Sequence, residues 1–171
     1  GWWDEIMMRI TELFMAFPTI ILAMAITAAL GPAIRNAVIA LVIVRWTDYA
    51  RLTRGLIIQA KTTEYVEAAR SLGAKNRYLL FRTLLPNSVT PVLVYATLDI
   101  GNSILLFAGL SFLGLGPEPS SPEWGRMISV GVSFFDQWWM WLSPGLAVAS
   151  FVMAFNFIGD GLRDILDPRS S

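Results

Sequence analysis

Two charged residues inside long apolar stretches are the side chains of this sequence best placed to do chemistry. Arg45 lies within one such stretch, and Asp99 is the single charge in another. A charge at the centre of a membrane helix costs about 2.5–3.5 kcal/mol on insertion scales, so each should face protein or water and not lipid. We predict that the two residues line a polar path or, alternatively, that they pair with each other or with a partner.

A second charged group lies near the end of the chain. Asp160, Arg163 and Asp164 follow one another at helical spacing directly after a charge-free stretch. Side chains three or four residues apart meet on one helix face. The pattern predicts a local ion-pair cluster that ends the helix, and contact with a partner or a gate is the alternative.

The residue types needed for most enzyme chemistry are absent from the sequence. There is no Cys and no His, so disulfides, thiolate metal sites and the commonest general base are excluded. Intramembrane aspartyl proteases carry Gly-x-Gly-Asp, whereas this chain has Phe157-Ile158-Gly159-Asp160, and no GxxxxGK[ST] phosphate-binding loop occurs. We predict a chain that is not an enzyme and that needs no metal and no cofactor.

The composition indicates a membrane protein. Of the 171 residues, 55% are hydrophobic and 15% are charged, against ~25% charged in an ordinary soluble domain. The net charge of zero argues against a nucleic-acid surface. The chain opens with Gly1-Trp2-Trp3 and shows no signal-peptide pattern, so we expect it to be a piece of a longer protein.

Four stretches are long enough to cross a bilayer as helices. Pro18 should bend the first one, and Gly31-Pro32 should end it in a tight turn. We therefore predict an all-α polytopic fold with four transmembrane helices, at about residues 5–31, 33–60, 86–115 and 137–162.

The basic residues are distributed unevenly between the two sides of these four spans. An even number of spans puts both chain ends and the 62–85 loop on one side. That side holds ten of the 13 basic residues, which are Arg9, Arg51, Arg54, Lys61, Arg70, Lys75, Arg77, Arg82, Arg163 and Arg169. The positive-inside rule then predicts that the loop and both ends are cytoplasmic.

The connection on the opposite side is rich in proline and leads into a short helix. Ser121 can cap this helix, Pro122 suits its first position, and Glu123 suits the positive end of its dipole. We predict a short extracytoplasmic helix that begins there. Tryptophans then start the last span, as in an aromatic belt.

The cytoplasmic loop has the residues of a helix–turn–helix. Thr63 is a candidate N-cap, and Gly73 fits the left-handed position that ends a helix. A second short helix should follow over residues 74–84, before Pro86 opens the third span. Ala68 and Ala69 should give the first helix a slim face for another protein. The alternative is a solvated basic connector held near anionic lipid.

Several motifs occur in a fixed order along the chain. They are Glu67-Ala68-Ala69 with Gly73 and Leu85-Pro86; Leu110-Ser111-Phe112-Leu113-Gly114-Leu115-Gly116 with Pro122-Glu123-Trp124-Gly125; and Ala154-Phe155-Asn156-Phe157-Ile158-Gly159-Asp160-Gly161-Leu162-Arg163-Asp164 with Leu166-Asp167-Pro168. Together they resemble the dipeptide, oligopeptide and nickel permease family of ATP-binding-cassette (ABC) importers, including its EAA loop. The resemblance covers essentially the whole chain.

This resemblance implies a multi-pass permease of a prokaryotic inner membrane that imports peptides. Its partners would be cytoplasmic ATP-binding subunits, a second homologous permease and an extracytoplasmic binding protein. The ATPase-coupling residues would be Glu67, Ala68, Ala69, Gly73, Leu85 and Pro86. Independently of the resemblance, the functional interpretation of the buried charges puts Arg45 and Asp99 on the translocation pathway, where Asp99 could meet a cationic group of the substrate. Asp160, Arg163 and Asp164 form a cluster at the cytoplasmic exit of the last span, where contact with the ATPase or a gate is the alternative to a local ion-pair cluster.

Two departures from the family pattern and two alternatives remain at this point. Thr83 stands where the EAA pattern usually has isoleucine, and the family's N-terminal membrane sequence is missing. The Leu98-Asp99-Ile100-Gly101 context is somewhat similar to nickel-type members, so a nickel permease is the first alternative. A secondary transporter, which also uses buried charges and broken helices, is the second.

Overall fold

Helices account for most of the chain. The computed structural model describes residues 1–118 and 120–166. Its helical segments are α1 (Trp2–Met15), α2 (Thr19–Leu30), α3 (Ile34–Ala60), α4 (Glu64–Ser71), the short turn α5 (Asn76–Tyr78), a π-helical turn (Leu79–Leu84), α6 (Leu85–Phe112), α7 (Trp124–Val132) and α8 (Trp139–Leu166). Of the sequence features used above, Pro119, Asp167, Pro168 and Arg169 lie outside the described residues.

Proline and glycine divide the first apolar stretch. α1 and α2 meet at an angle of 88°, with Pro18 at the start of α2. Proline has no N–H and disfavours helical backbone at the preceding residue, here Phe17. The predicted span 5–31 is therefore two helices and not one continuous helix. Gly31 ends α2 at φ +91°, as predicted.

Two helical segments in the described part of the chain are long and apolar enough to cross a membrane. They are the continuous run Asn76–Phe112 and α8, and the bent pair α1–α2 adds a third if it forms one span. α3 is 27 residues long but carries five charged side chains, which are Arg35, Arg45, Asp48, Arg51 and Arg54. The described residues are thus folded as helices, as predicted, and the long apolar helices agree with a membrane protein.

α6 is the helix on which four other helices pack. α8 packs along it, α7 packs against its C-terminal half, and α2 and α3 pack on it from another side. Small residues allow the close approach of α8: a Cβ on Gly159 would lie 2.5 Å from Leu98 Cδ2, and one on Gly101 would lie 3.4 Å from the Cα of Val152. Movement of α6 would therefore also displace α2, α3, α7 and α8, which pack on it.

The short helix α7 forms where it was predicted, but its cap differs. Ser121 was the predicted cap, and that prediction is wrong. The N-cap is Glu123, whose carboxylate accepts hydrogen bonds from the N–H groups of Gly125 (2.9 Å) and Arg126 (3.0 Å). The N–H of Ser121 instead donates to the carbonyl of Glu118, so a turn occupies these residues and the helix begins later.

Candidate functional site

The loop between α3 and α6 begins at Thr63, which has the backbone of an N-cap. Its φ of −86° and ψ of 146° are extended, and its carbonyl accepts the N–H groups of Val66 and Glu67. The predicted side-chain cap is absent, because the Thr63 hydroxyl donates to the carbonyl of Ala60 at 2.6 Å. The hydroxyl is turned toward the end of α3 and so points away from the first N–H groups of α4.

The end of α4 is a Schellman motif centred on Gly73. Gly73 has φ +84°, as predicted, and its N–H donates to the carbonyl of Arg70 at 2.9 Å. The N–H of Ala74 donates to the carbonyl of Ala69 at 3.1 Å. These two bonds satisfy the last carbonyls of α4 and reverse the chain within two residues.

α4 is attached to the base of α6 through one buried side chain. Val66 is fully buried and packs with Leu79 and Leu84 of the π-helical turn. Four partly buried residues surround this cluster, which are Ile57, Ala60, Ala69 and Ala74. The apolar cluster therefore joins the end of α3, α4 and the start of the 37-residue helix that contains α6.

Removal of this anchor should loosen α4. Val66→Ala deletes two buried methyl groups and should cost about 2 kcal/mol of local stability. We expect amide hydrogen exchange across residues 64–71 to become at least about tenfold faster in the full-length subunit. Tyr65→Ala is the matched control, because Tyr65 is 45% exposed on the same helix. Unchanged exchange in Val66→Ala would contradict the anchoring role.

The predicted coupling residues do not all face outward. Glu67, Ala68 and Gly73 are exposed, whereas Ala69 is half-buried and packs against the Val66 cluster. The slim outward face is therefore provided by Ala68 and not by the Ala68–Ala69 pair. Farther along, Leu85 is half-buried and Pro86 is exposed in the first turn of α6.

The second half of the loop is not a separate helix. The helix predicted over residues 74–84 begins at Asn76 and is continuous with the third predicted span, because Asn76–Phe112 form one helix. The π-helical turn Leu79–Leu84 precedes the proline, and the N–H of Leu85 donates to the carbonyl of Leu80, five residues back. Because Pro86 has no N–H, a normal α-helical bond to the carbonyl of Arg82 is impossible, and wider winding accommodates the ring.

Sequence reasoning missed an apolar surface next to this turn. Leu72 is 89% exposed, Phe81 is 64% exposed, and Tyr78 lies half-exposed between the two segments. Leu72 and Tyr78 line a shallow pocket with Gly73. The sequence signal was Leu72, a large apolar residue at the end of a short polar helix. A helix that is short and polar buries few side chains, so an apolar residue at its end tends to stay exposed.

The charges inside the bundle form one connected group. Arg45 of α3 is ion-paired with Asp99 of α6, and its Nη1 lies 3.2 Å from Asp48 Oδ2. The Tyr49 hydroxyl donates to Asp99 Oδ2 at 2.9 Å. The side chain of Asp99 is only 5% exposed. Of the alternatives stated above, mutual pairing of Arg45 and Asp99 is therefore present in the structure.

The third predicted group, the charged residues near the end of α8, is exposed. Asp160, Arg163 and Asp164 lie exposed near the end of α8. Arg163 lines a cleft between the end of α8 and the first turns of α6, together with Asn87 and Tyr95. This places Arg163 beside the first turns of α6.

The described residues show no ligand set of a metal site. No group of three or more His, Cys, Asp or Glu side chains is placed to hold an ion within residues 1–118 and 120–166. The geometry instead provides an attached surface helix, a long helix leading from it, and a buried ion-paired group in contact with that helix.

Comparison with known proteins agrees with this arrangement. Residues 1–171 match the family described as binding-protein-dependent transport system inner membrane component. The dipeptide transport system permease protein DppC of Alkalihalophilus pseudofirmus is 45% identical over 169 residues, covering 98% of this chain and 56% of that protein. The probable D,D-dipeptide transport system permease protein DdpC of Escherichia coli K12 is 44% identical over 168 residues, with the same coverage.

A third relative has a similar identity and coverage. The glutathione transport system permease protein GsiD of Shigella flexneri serotype 5b is 44% identical over 178 residues, covering 99% of this chain and 56% of that protein. The chain thus spans about half the length of the curated relatives it matches. With a match along its entire length, it belongs to the family of binding-protein-dependent transport system inner membrane components.

Proposed function

We propose that this chain is the core of a permease subunit in an ATP-driven peptide importer. The relatives are named as permeases of dipeptide, D,D-dipeptide and glutathione transport systems, which supports peptides as the cargo. The observation that carries the proposal is the attachment of the surface helix α4 to the base of α6 through Val66. The permease itself makes and breaks no covalent bonds, and separate subunits hydrolyse ATP.

The proposed topology has four spans, with the loop and both chain ends in the cytoplasm. The bent pair α1–α2 serves as one broken span, and α3 serves as another with its central charges turned toward α6. The excess of basic residues on the loop side supports this orientation. α7 then lies on the extracytoplasmic side, where a substrate-binding protein delivers cargo.

In the proposed coupling mechanism, α4 sits in a cleft of the ATP-binding subunit. Glu67 projects outward and forms hydrogen bonds or an ion pair there, and Ala68 allows close contact. Leu72 adds an exposed apolar contact beside the turn at Gly73. Because α4 packs against Leu79, displacement of α4 moves the 37-residue helix directly.

The continuous helix makes this transmission efficient. A separate loop helix joined by a turn at Pro86 would absorb part of the motion, whereas the observed π-helical turn keeps the backbone hydrogen-bonded into α6. Thr83 lies half-buried in this turn, so the departure from the usual isoleucine removes some apolar contact and leaves the helix intact. Leu85 and Pro86 act here by setting the geometry of the junction.

Purification and transport assays on the full-length subunit test this function. We expect it to co-purify with an ATP-binding subunit and a second permease, and the reconstituted complex to take up dipeptides only with ATP and a binding protein. Nickel uptake without dipeptide uptake would identify the alternative cargo. Uptake by the subunit alone, driven by an ion gradient, would refute the proposal in favour of a secondary transporter.

A further inference from the structure

The ion-paired group joins one cation to two carboxylates. Arg45 lies between Asp48 and Asp99, and the Tyr49 hydroxyl donates to Asp99 without neutralising it. Asp99 is buried, whereas Asp48 is half-buried and lines an open cleft together with Arg51. A buried carboxylate needs a counter-charge, so Asp99 must stay paired with Arg45 or receive another cation in its place.

The group borders a groove that a small molecule can enter. The groove lies between α3 and α6, has a volume of about 510 Å³, and is lined mostly by apolar side chains such as Leu41, Trp46 and Phe107. Arg45 and Asp99 supply its charged lining. A volume of this size accommodates a small ligand, and an apolar wall with few polar groups is the usual composition of a ligand site.

Arg45 is positioned to move between its two carboxylates. It contacts Asp99 while its Nη1 lies 3.2 Å from Asp48, one helical turn along α3. Its Nε is buried and makes no hydrogen bond. A shift toward Asp48 would leave Arg45 ion-paired and would release Asp99 to another cation, so no unpaired charge arises in the exchange.

We propose that Asp99 binds the primary ammonium group of the cargo in the pathway while Arg45 is transferred to Asp48. This inference rests on the proposed peptide import function and names the chemistry that the pathway recognises. A peptide amino terminus carries this group at neutral pH, and a lysine side chain carries it as well. Tyr49 holds Asp99 in place, and the apolar walls contact the apolar side chains of the small peptide.

Site-specific labelling can test occupancy, because this chain contains no cysteine. Ser103 lines the groove beside Asp99, so Ser103→Cys introduces a reporter thiol. In the complete purified transporter, Ala-Ala should slow maleimide labelling of this thiol several-fold, whereas N-acetyl-Ala-Ala should not. N-acetyl-Ala-Lys should protect only if a side-chain ammonium is also accepted. Mass spectrometry of the labelled peptide identifies the site.

Two controls separate binding from indirect effects. Ser120→Cys lies in the exposed connection before α7 and should label at the same rate with either ligand. Asp99→Asn in the Ser103→Cys background should abolish protection by Ala-Ala. Equal protection by Ala-Ala and N-acetyl-Ala-Ala, or no protection by Ala-Ala, would overturn the proposal.

Transport kinetics provide a second test. Asp99→Asn should reduce ATP-driven uptake of Ala-Ala by at least about tenfold, the loss of one charge-assisted hydrogen bond. Binding-protein-stimulated ATP hydrolysis should persist, because α4 is unchanged. Asp136→Asn, in the exposed segment before α8, is the matched control. Unchanged uptake in Asp99→Asn would refute the Asp99 site. If the binding protein did not stimulate ATP hydrolysis by the unmutated complex, the import function would be refuted instead.

The triple variant Arg45→Gln, Asp48→Asn and Asp99→Asn tests a purely structural role. Removal of all three charges leaves neutral side chains of similar size and no unpaired carboxylate, which a helix bundle usually tolerates. If the ion pairs only hold α3 against α6, this triple variant should transport Ala-Ala normally. We expect it to fold, to hydrolyse ATP in response to the binding protein, and to remain at least about tenfold impaired in uptake.

Discussion

Gly73→Pro should abolish ATP-driven uptake in the complete transporter while the subunit still inserts into the membrane. Gly73 has φ +84°, whereas proline is restricted to about −65°. Proline would also remove the N–H that donates to the carbonyl of Arg70. The Schellman motif that ends α4 cannot form, so the surface helix would lose its orientation relative to the ATP-binding subunit.

A graded series identifies the cause of the effect. A Cβ on Gly73 meets no atom within 4 Å, so Gly73→Ala introduces only backbone strain of about 1–2 kcal/mol and should retain part of the uptake. Gly55→Ala, at a helical glycine with equally open surroundings, should be neutral. Uptake and co-purification of the ATP-binding subunit are the measurements. Wild-type values in Gly73→Pro would show that the geometry of this turn does not matter for coupling.

Gly125→Ala should produce the largest loss of stability among single methyl additions to the bundle. A Cβ on Gly125 would lie 2.1 Å from the carbonyl oxygen of Ala108, which is backbone inside α6 and cannot rotate away. α7 would have to separate from α6 and would disturb its own cap at Glu123. Overpacking of this kind costs about 1–3 kcal/mol, and backbone contact places this site at the upper end of that range.

Gly109→Ala is the matched control for this prediction. It adds the same methyl group to α6, next to Ala108 in sequence, where the nearest atom is Ile20 Cδ1 at 3.9 Å. We expect a clear decrease in the thermal unfolding temperature of the detergent-purified full-length subunit for Gly125→Ala, and little change for Gly109→Ala. Equal behaviour of the two variants would show that α7 does not rest on α6 at this point.

Features that depend on one residue's backbone were predictable from the sequence. The breaks at Gly31 and Gly73 required only the conformational freedom of glycine, and both adopt positive φ. The cap of α7 was wrong by two residues, because Ser121 and Glu123 are both plausible acceptors and the local turn decides between them. The sequence alone does not decide which of two nearby and equally suitable residues caps a helix.

The effects of proline were predictable only in part. Pro18 was expected to bend a helix, but its 88° angle depends on how α1 and α2 pack against α3. Pro86 was expected to begin a separate helix, yet the chain continues through a π-helical turn. A missing N–H excludes one hydrogen bond, and tertiary packing selects among the backbone paths that remain.

The sequence by itself determined the apolar stretches and the proline and glycine residues that interrupt them. It also determined the unequal distribution of basic residues and the need to compensate the charges at Arg45 and Asp99. These follow from backbone preferences and from the cost of desolvating a charge, both of which act at the level of a residue or a short segment. Only the tertiary structure decided that Arg45 pairs with Asp99 beside Asp48, and that Ala69 faces the loop's own core while Ala68 faces outward. Arg45 and Asp99 are distant in sequence, and the packing of α3 on α6 brings them together.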